Sequence, residues 1–396
     1  MKYDRKPGIY YGNDFIGKEE ETKVAEVIEK QSIFRYYGKD IDYRTDEFES
    51  KLSDFLSTSK TLCTSSGTAS LKCALKALNI GINDEVILPA YGFIATANAI
   101  ISCNAIPVFC DIDDSMNIDA DKIEQFITNN TKAIICVHIG GEPCNLEKIM
   151  KIAKKNNIKV IEDTAQAFGG KYKGEYLGSI GDVGCFSFQA NKILSTGEGG
   201  CLTSKNDKLI ELARIYHDQG GVRVNNSFPQ WDDLRCIFGE NYRMSEITAA
   251  IGIEQLKKIP DILNKLRQNK KSIMEGLCDL DIQFRKSWDL EGDCASNIVF
   301  YIFDKERREK VLDDLSCIYA HKNYNKAVYE NLLFQEMDKK MSMYCFNKNI
   351  KVISNLNNCY NAQRLSKAAI WIPVGARYTR EDIEYVVDKI RVSVKK

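Results

Sequence analysis

The chain has 396 residues, 44% hydrophobic and 28% charged. That is long enough for two or three packed domains and too apolar for a disordered chain. Its 55 basic and 55 acidic residues cancel, which argues against a broad basic face for nucleic acid or an anionic membrane. The fourteen cysteines contain no Cys-x-x-Cys spacing, so zinc-ribbon and thioredoxin-like readings fall away and no metal site is expected. The segment from Met1 to Gly12 is polar and lacks the apolar core of a secretion signal. Reduced thiols in a cytoplasmic protein are therefore expected, most of them acting as small buried hydrophobes.

Along the chain, strands are expected at 85–88, 106–111, 133–139, 159–162, 185–188 and 200–203. Helices are expected between them, at 68–78, 94–102, 146–155 and 208–216. The stretch 86–110 has no charged residue and is long enough to cross a bilayer, yet it holds Pro89, Asn98, Asn104 and Pro107. Strand, turn, helix and strand inside a large core is the better reading. Strands alternating with helices imply a mostly parallel sheet covered on both faces, and runs such as "AIICVHI" fit burial on both sides. A long helix is expected over 244–266, kinked or ended by Pro260. A final amphipathic helix carries Ile383, Val386, Val387 and Ile390 on one face. The expected organisation is a large α/β domain over 1–258 and a smaller α/β domain over 259–396.

Three segments carry chemistry. In "SGTASL", Gly67 and Thr68 open a helix whose free N–H groups suit a phosphate; an ordinary helix start capped by Thr68 is the alternative. In "VIEDTAQAFGG", Glu162 and Asp163 end a buried strand, where open α/β sheets bind ligands. The alternative there is a capping box between Asp163 and Gln166. In "GCFSFQANKILSTGEGG", a strand delivers Ser187 and a short loop carries Lys192. That lysine is either a solvated loop charge or a desolvated amine able to attack carbonyls. A phosphate cradle, a strand-end carboxylate and a strand-loop lysine together meet the needs of pyridoxal 5′-phosphate.

These motifs, with "DEVILPAYGFIATANAI", "VHIGGEPCNL" and "GENYRMSEITAAIGIEQLKK", make the chain resemble the DegT/DnrJ/EryC1/StrS family of pyridoxal phosphate-dependent sugar aminotransferases from about Gly12 to Val387. The resemblance implies the α/β fold type I of pyridoxal phosphate-dependent transferases. It implies a Schiff base on Lys192, which also shuttles protons, and Asp163 paired with the ring nitrogen. It further implies Gln166 on the ring oxygen, Phe93 stacked on the ring, and Gly67, Thr68 and Ser187 on the phosphate. Asn241 would reach the phosphate of a neighbouring subunit, which makes a homodimer part of the site. The implied reaction takes an amino group from L-glutamate or L-glutamine, by way of pyridoxamine 5′-phosphate, to a keto or aldehyde group of a sugar-like acceptor. Candidate acceptors are a nucleotide-linked keto sugar, a keto-cyclitol and an oxidised octulosonate.

Substrate contacts are expected from His217 and His321, and from Tyr36 in "IFRYYG", which resembles the mouth segment of inosose and octulosonate aminotransferases. His138 is the third histidine. Three rival readings stand beside this one. A dehydratase of the same family would carry His in place of Lys192. A non-catalytic cofactor-binding regulator would have lost Lys192, Asp163 or Gln166. A type I enzyme restricted to amino acids would lack the sugar-family motifs.

Overall fold

The computed structural model describes residues 11–335 and 359–395. A seven-stranded sheet organises the large part of the chain. Its strands are β1 (Lys60–Thr64), β2 (Glu85–Pro89), β3 (Ile106–Cys110), β4 (Thr131–Val137), β5 (Lys159–Asp163), β8 (Val183–Ser187) and β9 (Gly200–Ser204), with a small hairpin of β6 (Lys171–Tyr172) and β7 (Glu175–Tyr176) between β5 and β8. The order is β1-β9-β8-β5-β4-β2-β3. Pairings from β8 through β5, β4 and β2 to β3 are parallel, while β9 runs antiparallel to both β8 and β1. The expected mostly parallel sheet is present. The edge strand β1, "KTLCT", was not expected: its mixed Lys and Thr content breaks the apolar run that marks the inner strands.

Successive residues of the inner strands enter different cores. Val160 joins one apolar cluster and Ile161 the other. That is the period of two of a strand covered on both faces. Helices α1 (Lys18–Glu29), α2 (Arg44–Leu56), α3 (Gly67–Ala77), α4 (Ile94–Ser102), α5 (Leu146–Asn156) and α6 (Asp207–His217) flank the sheet. No helix among the described residues is long and apolar enough to cross a membrane, and the uncharged 86–110 stretch forms most of β2, then α4 and β3.

Helix α7 (Glu246–Glu275) continues past Pro260 for fifteen residues, so Pro260 does not end it. A helix-interior proline loses one hydrogen bond and crowds the preceding turn. Here Leu256, Ile259, Ile262, Leu263 and Leu266 are buried on both sides of it, so tertiary packing outweighs the local cost. The proposed division into 1–258 and 259–396 therefore falls inside a helix rather than in a linker. Beyond α7 stands a second, antiparallel sheet of β10 (Gln283–Phe284), β11 (Asn297–Tyr301) and β12 (Ala369–Pro373), with the helix Arg380–Lys395 packed back on α7.

Candidate active site

Parallel strands deliver their carboxyl ends to one edge of the sheet. Asp163 at the end of β5 pairs in register with Cys185, two residues before Ser187 at the end of β8. The two carboxylates that end β5 serve different purposes, since neighbouring strand residues face opposite sides. Glu162 is fully buried and accepts four hydrogen bonds, from His138 Nε2 at 3.1 Å and from the amides of Gly178, Ile180 and Gly181. Cys144 N donates to His138 Nδ1, which leaves the proton on Nε2 and directs it at Glu162. This carboxylate is saturated and braces the 178–181 turn.

Asp163 is 5% exposed and accepts only two bonds, from Thr96 Oγ1 at 2.8 Å and Ala165 N at 3.2 Å. A carboxylate can accept about four. Burial pushes its pKa up, opposed by Thr96, the Ala165 amide and the Lys192 charge. No helix starts after Asp163, so the capping-box alternative is overturned. Gln166 instead turns its Oε1 to the Gly140 amide at 2.9 Å.

Lys192 sits in the loop between β8 and β9, half-buried, and burial lowers its pKa while Asp163 opposes the shift. It opens on a cavity of about 390 Å³ shared with Gln166, Tyr11, Asn297, His321 and Tyr324. Among the described residues, no carboxylate and no guanidinium lines this cavity. Phe93 stands at the N-terminus of α4, 56% exposed. Tyr324 packs beside it, 6.1 Å between ring centroids, with its hydroxyl 3.4 Å from Gln166 Nε2. Tyr324 thus stands between the open cavity and the Phe93–Asp163 side of the site.

The α3 N-terminus reaches the same edge. Ser66, not Thr68, caps it, accepting from Ala69 N at 3.1 Å, which leaves the Thr68 side chain exposed. A Cβ on Gly67 would lie 2.7 Å from Ser187 Cβ; only glycine lets the helix start close on the end of β8. The helix N-terminus, Ser187 and the exposed Thr68 hydroxyl form a cradle suited to a phosphate.

The remaining candidates separate. His321 lines the Lys192 cavity. His217 and Tyr36 do not: both are buried outside it. His217 Nδ1 contacts the Arg214 carbonyl oxygen, and burial with Arg35 and Arg214 nearby lowers its pKa well below the usual range. Arg223 lies 4.1 Å over the Tyr36 ring. Asn241 is exposed and sits outside the cavity on the strand-like stretch whose Tyr242 carbonyl accepts from Ser65 N at 2.8 Å. Sequence reasoning missed Tyr11, Ser296 and Tyr324, which line the cavity from three distant segments. No motif spacing links them. No group of three or more His, Cys, Asp or Glu among the described residues could hold a metal ion, and the cysteines described are free thiols, most of them buried.

Residues 14–391 match the DegT/DnrJ/EryC1/StrS aminotransferase family. GDP-perosamine synthase of Escherichia coli O157:H7 is 44% identical over 224 residues, 56% of this chain and 60% of that protein. L-glutamine:2-deoxy-scyllo-inosose aminotransferase of Streptomyces kanamyceticus is 35% identical over 263 residues, 64% of this chain and 60% of that protein. The chain thus spans about three-fifths of the length of these curated relatives. The X-ray structure of an aminotransferase from Psychrobacter cryohalolentis shares the fold, with a TM-score of 0.82 at 26% identity over 96% of this chain and 98% of that one.

Proposed function

The chain belongs to the DegT/DnrJ/EryC1/StrS aminotransferase family, and we propose that it is a pyridoxal 5′-phosphate-dependent aminotransferase. It moves an amino group from L-glutamate or L-glutamine to the keto or aldehyde carbon of a sugar-like acceptor. The observation that carries this reading is Lys192: a desolvated amine opening on a cavity beside Gln166, with the under-used carboxylate of Asp163 on the adjoining strand end.

The residues present fit the cofactor. Gly67, Thr68 and Ser187 would hold its phosphate at the α3 N-terminus, Asp163 its ring nitrogen and Gln166 its ring oxygen, with Phe93 against the ring. When bound, pyridoxal phosphate supplies an aldehyde that condenses with amines and a protonated ring that draws electrons from the adjoining carbon. Asp163, with acceptor capacity to spare, would hold the proton at the ring nitrogen. Lys192 Nζ would take a proton from the substrate carbon and return it across the same face, the work of an amine whose pKa burial lowers. Asn241 would complete the phosphate site of a neighbouring subunit in a homodimer.

Beside the Lys192 amine and the His321 ring, the cavity is lined by amides, hydroxyls and aromatic rings, with no carboxylate or guanidinium among the described residues, which suits a polyhydroxylated ring. The printed names of relatives include a nucleotide-linked sugar and a cyclitol, and we assign the acceptor to that range. We place the enzyme in the cytoplasm. Incubation of the purified protein with L-glutamate should shift the cofactor absorbance and release 2-oxoglutarate, and borohydride should fix the cofactor to Lys192. Absence of both with glutamate and with glutamine overturns the reading.

A further inference from the structure

Residues from five separate segments join hands around the Lys192 cavity. The Gly12 amide donates to the Lys192 carbonyl oxygen at 3.0 Å. Its neighbour Tyr11 donates its hydroxyl to the Ser296 carbonyl oxygen, which also accepts from Val374 N at 2.9 Å. Ser296 Oγ donates to the Gly140 carbonyl oxygen at 3.2 Å, and the Gly140 amide donates to Gln166 Oε1 at 2.9 Å. Tyr11, Gly140, Gln166, Lys192 and Ser296 all line the cavity. A Cβ on Gly12 would lie 2.6 Å from both Ile193 O and Ser195 N, so the strap lies directly on the backbone of the lysine loop.

We propose that Tyr11 and Ser296 are positioning residues: they form one hydrogen-bonded tie that fixes the Lys192 loop against the small sheet and, through Gly140, against Gln166. Neither needs to touch a reacting atom. Besides the tie, the lysine loop is held by β8 and β9 at its ends and by the buried side chains of Ile193 and Leu194; cutting the tie would give the Lys192 amine more freedom and water while those anchors keep the loop folded. Alone, each link is an ordinary hydrogen bond. In series they hold the two groups proposed to flank the cofactor ring at a fixed separation, which catalytic geometry demands to within fractions of an ångström. The inference deepens the aminotransferase reading, on which its meaning for turnover rests, but the tie itself can be tested without it.

The test labels Lys192 in the full chain, freed of any carbonyl adduct by hydroxylamine dialysis, with an acylating reagent across pH, read by mass spectrometry. Asp163 is the charged group acting on Lys192, and His321, Tyr319 and Tyr324 share its cavity; all four are left untouched. Tyr11→Phe and Ser296→Ala each remove one hydroxyl and little volume. Each should raise the labelling midpoint by about half a pH unit, as water reaches the amine. Tyr11→Phe removes the bond to the Ser296 carbonyl and Ser296→Ala the bond from Oγ to Gly140; because these are links in series, the double variant should shift the midpoint no further than the larger single one. Thr22→Ala, an exposed hydroxyl on α1, should leave it in place. Midpoints equal to wild type in both single variants overturn the proposal, as do shifts that add in the double variant. Failure of borohydride to fix cofactor to Lys192 would remove the functional reading and leave this result standing.

Discussion

Two polar regions of this chain bury ionisable groups, and they do it in opposite ways. Around Arg35, 1% exposed, the charges close on one another. Arg35 pairs with Glu49 at 2.7 Å and Asp46 at 3.3 Å, Arg214 reaches the same Glu49 at 2.9 Å, and Asp218 holds both Arg223 and Arg243. Around Lys192 the ionisable groups are few, keep acceptor or donor capacity unspent, and face open volume. Burial and a shifted pKa are common to both regions. What separates a scaffold from a site is whether the group is enclosed by packed residues or opens on a cavity. His217 illustrates the point: burial beside Arg35 and Arg214 lowers its pKa well below the usual range, yet it lies outside the cavity, in the Arg35 region.

The sharpest break of this contrast is Lys192→Ala, which should lower turnover by roughly a thousandfold or more with the fold intact; steady-state rates near wild type would dissolve the distinction. Glu49→Gln should do the reverse. It strands Arg35 and Arg214 without their shared carboxylate, at a cost of about 3–5 kcal/mol read from urea denaturation. Borohydride chemistry at Lys192 should be unaffected in the protein that remains folded, and a stability loss under about 1 kcal/mol would mean the Arg35 region is not a brace.

Asp163→Asn keeps shape and removes the anion, and turnover should fall by roughly a hundredfold. Normal turnover would reduce Asp163 to a turn former. A shared site makes a complementation test possible. Lys192→Ala mixed with Asn241→Ala should recover roughly a quarter of wild-type activity, since half the dimers are mixed and half of their sites carry neither defect. No recovery, with mixed dimers seen by mass spectrometry, would return Asn241 to its own subunit's site.

The smallest effect concerns His217. Burial holds it neutral in the folded chain, whereas the unfolded chain protonates it below its ordinary pKa of about 6.5. The unfolded state then binds the extra proton, so folded stability should decline as pH falls below that value, by about 1.4 kcal/mol per unit. His217→Gln should flatten this slope in denaturation midpoints while turnover changes less than about twofold. An unchanged slope would show that other groups set the acid limit.

Much of this was legible from residues in order. The strands β2, β3, β4, β5, β8 and β9 announce themselves because their runs are largely apolar, and the helices between them keep their apolar period. Gly67, Asp163, Gln166 and Lys192 stand in short segments whose local chemistry already asks for a phosphate, a cation and a carbonyl. The ends of these strands and helices shift by at most two residues, as hydrogen bonding at the termini, not composition, decides them.

Only the tertiary structure could decide what each buried group faces. The sequence of "VIEDTAQ" presents Glu162 and Asp163 alike; the pleat turns one into the 178–181 turn and the other toward Lys192. "RIYH" and "IFRYYG" offer His217 and Tyr36 as plausible contacts, and long-range ion pairs fold them into the Arg35 region instead. Pro260 reads as a stop until the buried residues on either side of it carry the helix through. Tyr11, Ser296 and Tyr324 carry no signal at all, being 285 residues apart in the case of the first two. Periodicity and turn chemistry act over a few residues and are written in the chain. The partner of a buried polar atom is chosen by packing across hundreds of residues, and no local pattern records that choice.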